Sequence, residues 1–174
     1  MPMKARRRGF TLLEVLIALL IFSLGLLGMA GLLIVSVKTN HSAYLRTQAS
    51  FLAQSMADRM RANMPRVWTS DYDATYPTGD TDPCGSGGTC TRANIAVRDR
   101  AEWSTQLTDL LPNGSAQIVC TPTAGVDVTA EDAQNGAPYA GLCNMTITWS
   151  ESQLDRNATD TAPVSQTFAW VFQP

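Results

Sequence analysis

The residues whose spacing promises the most chemistry stand at Gly9-Phe10-Thr11-Leu12-Leu13-Glu14, where a basic stretch ends in glycine and a single carboxylate enters a long apolar run. The chemistry that fits is proteolytic processing between Gly9 and Phe10. Cutting there discards only the basic leader and leaves a new amino terminus on an apolar helix. A second set is Cys84, Cys90, Cys120 and Cys143, for which three pairings are possible. Local closure across Gly85-Ser86-Gly87-Gly88-Thr89 favours Cys84 with Cys90 and leaves Cys120 with Cys143 to join adjacent strands. Loop entropy values these bridges at about 2.4 and about 3.4 kcal/mol. Zinc is the competing chemistry, but there is no Cys-x-x-Cys and the only histidine, His41, is far away in sequence.

Other constellations are weaker. Asp71, Asp73, Asp80 and Asp82 supply the oxygen atoms calcium prefers, yet they lack the Asp-x-Asp-x-Asp-Gly frame with a distal Glu. An exposed acidic loop is the expectation. His41 has no accompanying Ser or Cys nucleophile motif, and no phosphate-binding glycine loop occurs. No enzymatic activity, cofactor or metal is therefore expected. Asn-x-Ser/Thr at Asn40, Asn113, Asn144 and Asn157 is too common in a Thr-rich sequence to imply glycosylation.

The elements that must position these residues begin with the stretch from Val15 to Val37, which has no charged side chain. As one helix rising about 1.5 Å per residue it spans a hydrocarbon core of about 30 Å. Lys4, Arg6, Arg7 and Arg8 precede it and Lys38 is the first basic residue beyond it. The positive-inside rule then keeps the N-terminus cytoplasmic and exports everything after Lys38, where disulfides are allowed. A cleavable secretory signal would have a shorter apolar core, so the run is expected to stay as an anchor. Gly25, Gly28 and Gly31 each cost about 1 kcal/mol of helix propensity. Close packing of membrane helices and local melting during assembly are both readings of that repeat.

Beyond the anchor, Leu45, Ala49, Leu52, Met56 and Met60 keep helical spacing on one face. Pro65 marks the expected end, giving one helix from Phe10 to Asn63 of roughly 80 Å. Asp99 to Leu111 reads as a short amphipathic helix stopped by Pro112-Asn113-Gly114. Ile118 and Cys120, then Met145, Ile147 and Trp149, then Phe168, Trp170 and Phe172 alternate as strands with one buried face. Trp68 to Thr91 reads as a loop, either a plain connector or a partner-facing surface. The expected organisation is a leader over 1–9, a transmembrane helix over 10–37, its amphipathic continuation over 38–64, and a loop and antiparallel sheet over 65–174. The fold class is α+β, a long N-terminal helix against a sheet of three or four strands.

Charge narrows the partners. The chain has 13 basic and 15 acidic residues, and loss of the four basic leader residues leaves nine against 15, a net charge of −6. A broad nucleic-acid surface is not expected, with Arg92, Arg98 and Arg100 the only local candidates.

Gly9, Phe10, Thr11, Leu12 and Glu14, with the apolar helix at once behind them, resemble the prepilin class, which includes type IV pilins and the pseudopilins of type II secretion. The resemblance implies that prepilin peptidase cleaves after Gly9 and methylates the amine of Phe10. A carboxylate inside a membrane helix costs roughly 3 kcal/mol on insertion scales. Pairing with the new Phe10 amine, in the same or a neighbouring subunit, would lower that cost and make Glu14 an assembly residue; the competing reading has it snorkelling at the interface. Many main pilins carry a proline near Gly31, which this chain lacks. The run from Leu13 to Leu32, the Gln48 to Met60 segment, Leu111-Pro112-Asn113-Gly114 and Phe168-Ala169-Trp170-Val171-Phe172 look most like the PilV-type minor pilins. That resemblance implies a single-pass inner-membrane protein with a periplasmic domain, which enters the pilus tip with other minor pilins, the major pilin and the inner-membrane assembly machinery. The competing readings are a minor pseudopilin of type II secretion and, from another class, a single-pass surface receptor or adhesin that would need neither Gly9 nor Glu14.

Overall fold

The computed structural model describes residues 9–85, 90–125, 129–151 and 163–174. Two units are distinguished, Met1–Ser42 and Ala43–Pro174. Helix α1, Leu12–Ala62, contributes residues to both.

In the first unit, the helix presents its apolar side chains uncovered, among them Leu12, Leu20, Phe22, Leu27, Leu32 and Val37. It is long and apolar enough to cross a membrane. Two of its hydroxyls bond back to the helix: that of Ser23 donates to the Leu20 carbonyl at 2.8 Å and that of Thr39 to the Val35 carbonyl at 3.0 Å. Such back-bonding removes their need for an outside partner. The helix runs through Gly25, Gly28 and Gly31 without a break, and all three face open space.

In the second unit, Leu45, Ala49, Leu52, Met56 and Met60 are buried, as their spacing predicts, and Ala53 and Ala57 widen the stripe. After α1 come α2 (Met64–Trp68), β1 (Ala74–Tyr76), α3 (Arg92–Leu110), β2 (Ser115–Pro122), α4 (Ala130–Gln134), β3 (Gly141–Glu151) and β4 (Val164–Phe172). The strands form one antiparallel sheet in the order β1-β2-β3-β4, every neighbour in sequence a neighbour in space. Ile118, Met145, Ile147, Trp149 and Phe172 point into the same core as the α1 stripe and Trp103 of α3. The opposite face carries Thr75, Gln117, Val119, Asn144, Thr146, Thr148, Thr167, Ala169 and Val171, with no charged side chain.

Four expectations need correction. The helix starts at Leu12, not Phe10, because Thr11 caps it. Pro65 does follow the end of α1, at Ala62, but Met64 is helical in α2, where Pro65 sits in the first turn, since proline lacks only an N–H that a first turn leaves unbonded anyway. Trp68 to Thr91 is not one loop: it contains β1, whose Ala74, Thr75 and Tyr76 pair with Ile118, Gln117 and Ala116, and it buries Tyr72 and Tyr76. Helix α3 begins at Arg92 and not Asp99, because the Thr91 hydroxyl accepts the Asn94 N–H at 3.2 Å and secures an earlier first turn. Helix α4 has no counterpart in the sequence reading.

Tight turns hold the sheet against α3. Asn113 takes a left-handed φ of 52° after Pro112, and a Cβ on Gly114 would sit 2.5 Å from the Leu107 carbonyl. The Pro112 carbonyl then accepts the Ser150 N–H at 2.9 Å, fastening this stop to β3.

Candidate functional site

Gly9, Phe10 and Thr11 precede α1 in non-helical backbone, with Phe10 84% exposed. The Gly9–Phe10 bond therefore lies where an enzyme can reach it without unwinding a helix. The leader cations Lys4, Arg6, Arg7 and Arg8 lie outside the described residues. The Thr11 hydroxyl accepts the Glu14 N–H at 3.3 Å, the geometry of a helix N-cap. Thr11-Leu12-Leu13-Glu14 is thus the Thr-x-x-Glu pattern of a capping box, a signal present in the sequence and missed there. Phe10 and Val15, on either side of the cap, both line a shallow concavity with Glu14, Ala18, Leu19 and Phe22, the placement of a hydrophobic staple.

This gives Glu14 a local reason to exist. In the first turn its carboxylate faces the partial positive charge of unbonded helix N–H groups, worth about 0.3–1 kcal/mol. That offsets part of its cost in an apolar setting, and the open face beside Phe10 leaves room for a cation from elsewhere.

The Ala43–Pro174 unit uses its polar residues differently. Asp99, only 5% exposed, accepts from Arg59 Nη1 at 3.0 Å and from the Tyr72 hydroxyl at 2.9 Å. Arg59 also reaches Glu102 at 2.9 Å, and Asn63 Nδ2 donates to the Tyr72 oxygen at 3.2 Å and the Arg92 carbonyl at 2.9 Å. Burial opposes the Arg59 charge, but the hydrogen bonds to Glu102 and Asp99 outweigh it and its pKa rises. Burial, then the charge of Asp99, pushes the Tyr72 phenol well above its ordinary range. Every member is satisfied, so the network is a fastening between α1, α3 and the chain before β1.

The four aspartates considered for calcium are held apart by internal partners. Asp71 pairs with Arg66, and Asp80 with Arg100 at 2.8 Å. Asp82 accepts the Cys84 N–H at 2.8 Å, and Asp73 accepts the Cys120 N–H at 3.1 Å, extending the β1–β2 ladder by a side chain. No group of three or more potential metal ligands occurs among the described residues. Of the three arginines considered for nucleic acid, Arg98 lies 3.8 Å from Glu102, Arg100 is the partner of Asp80, and Arg92 donates to the Gln134 carbonyl.

Disulfides join Cys84 to Cys90 and Cys120 to Cys143. Cys120 and Cys143 are direct cross-strand partners in the centre of the sheet. Ser86 to Thr89, inside the smaller ring, and Asn157 lie outside the described residues.

Residues 4–30 match the prokaryotic N-terminal methylation motif. No curated protein and no solved structure matches the chain. The motif, followed by a long apolar helix and a four-strand antiparallel sheet, supports a type IV pilin-like or pseudopilin-like protein. It implies processing by prepilin peptidase and assembly with pilin machinery, and suggests a structural role. The apolar helix fits anchoring in the inner membrane.

Proposed function

We propose that this chain is a minor pilin of the PilV type, cleaved between Gly9 and Phe10, methylated on the Phe10 amine, and incorporated with other minor pilins to initiate or promote type IV pilus assembly. Twitching motility and adhesion follow from that assembly. The observation that carries the reading is the methylation motif over residues 4–30 running directly into an uncovered apolar helix with Glu14 in its first turn. In this reading residues 1–9 are removed, 10–37 span the inner membrane with the N-terminus cytoplasmic, and 38–64 continue the helix into the periplasmic part formed by 65–174. Glu14 then pairs with a Phe10 amine, its own or a neighbour's, and the protein moves from the membrane to the pilus tip.

Intact mass from cells with and without prepilin peptidase tests the first step. A methylated Phe10 terminus that depends on the peptidase is expected, and a retained leader would sink the reading. Glu14→Ala is expected to insert normally and to be depleted from sheared filaments. Deleting the gene should abolish twitching and leave protein secretion intact. The reverse pattern would assign the chain to the minor pseudopilins of type II secretion, and loss of neither would leave a surface receptor or adhesin.

A further inference from the structure

A cavity of about 550 Å³ opens in the Ala43–Pro174 unit, with Pro65, Arg66, Trp68, Arg92, Ala133 and Gln134 on its wall. Two guanidinium groups share that wall and no lining residue is acidic. Arg66 is neutralised by Asp71. Arg92 is not: its Nη1 donates to the Gln134 carbonyl at 2.7 Å, and no carboxylate pairs with it among the described residues. A guanidinium held by a neutral carbonyl keeps its whole charge and most of its five donors. In a protein whose acidic residues outnumber its basic ones, this is a cation without a counter-ion among the described residues, on a concave surface.

The rest of the wall is apolar and fixed in place. The Trp68 indole N–H donates to the Ala137 carbonyl at 3.0 Å, and its ring packs on Tyr139 with centroids 4.7 Å apart. The indole is therefore oriented before anything binds, and the Pro65 ring and Ala133 methyl group extend its apolar surface. No strand residue lines the cavity, so an extended peptide finds no row of backbone donors and acceptors to pair with. The volume lies in the range of small-molecule sites. A ligand that uses everything present is a ring with one apolar face and a carboxylate: the face stacks on the indole and the carboxylate takes the donors of Arg92.

We propose that this cavity binds an acidic sugar residue of the uronic-acid class, its carboxylate on Arg92 and its apolar ring face on Trp68. The site is independent of whether the chain enters a filament.

The test titrates the full chain in detergent micelles with glucuronate, glucose and acetate, following the tryptophan indole N–H resonances. Glucuronate is expected to saturate with a shift of one indole resonance, and glucose to bind roughly tenfold or more weakly for want of the charged hydrogen bond. Arg92→Gln should weaken glucuronate by a similar factor with an unchanged melting temperature. Ala133→Leu, which adds bulk to the wall and keeps both cations, should also abolish binding and serves if Arg92→Gln fails to fold. Absence of saturation by glucuronate, equal binding of glucose, equal binding of acetate, or unchanged affinity in a folded variant would each overturn the proposal.

Discussion

Residues 9–42 and the Ala43–Pro174 unit handle apolar side chains in opposite ways. In the first, nearly every Leu, Ile, Val and Phe is uncovered and the Ser23 and Thr39 hydroxyls bond back to their own helix. In the second, the α1 stripe, Trp103 and all four strands close around one another and the polar groups bond across elements. One unit closes its apolar side chains into a core, and the other leaves them uncovered. The difference teaches that the same helix can be a core element over one stretch and an uncovered apolar surface over another, decided by what is offered to its apolar face.

Substitutions break this contrast in graded fashion. Trp103→Ala removes a fully buried ring that packs edge-on to Tyr76 and donates to the Leu52 carbonyl at 2.9 Å. It should cost about 3–5 kcal/mol in urea unfolding of the Ala43–Pro174 unit and leave membrane insertion unchanged. Replacing Cys120 and Cys143 together by Ala should cost about 3.4 kcal/mol, and Cys84 with Cys90 about 2.4 kcal/mol, so melting temperatures should fall in that order. Thr11→Val removes a cap worth about 1 kcal/mol. Faster amide exchange at Leu13 and Glu14 is expected, with no change in the melting of the Ala43–Pro174 unit.

The smallest effect is a pH dependence. Burial raises the pKa of Asp73, despite the opposing Cys120 N–H, so the folded state holds its proton more tightly than the unfolded chain. Stability from this group is present below the ordinary carboxylate value and declines as pH rises through the raised one. Asp73→Asn should therefore gain on the parent as pH rises across that window, read as a melting difference that is small in acid and larger at neutrality. Asp80 runs the other way: its hydrogen bond to Arg100 lowers its pKa, and its contribution is lost on acidification.

The anchor, the buried stripe from Leu45 to Met60 and the alternation in β2, β3 and β4 were legible because each is a long run with one period. β1 was not, since three residues among Asp, Thr and Pro carry no period and become a strand only by pairing with Ile118, Gln117 and Ala116. The first turns of α3 escaped for a related reason. Their boundary rests on Thr91, and a hydroxyl among many hydroxyls is a weak mark until its hydrogen bond is seen. Of the candidate site, Gly9, Phe10 and Glu14 were readable from type and spacing, and the Thr11 cap was overlooked. The Asp99 network joins positions 59, 63, 72 and 99, so no local pattern reveals it.

The sheet face turned away from the core has hydroxyls, amides and small apolar groups but no formal charge. Ionic strength therefore has little to screen there. Any contact made on that face will depend on shape and hydrogen-bond matching, and will persist in brine much as in fresh water.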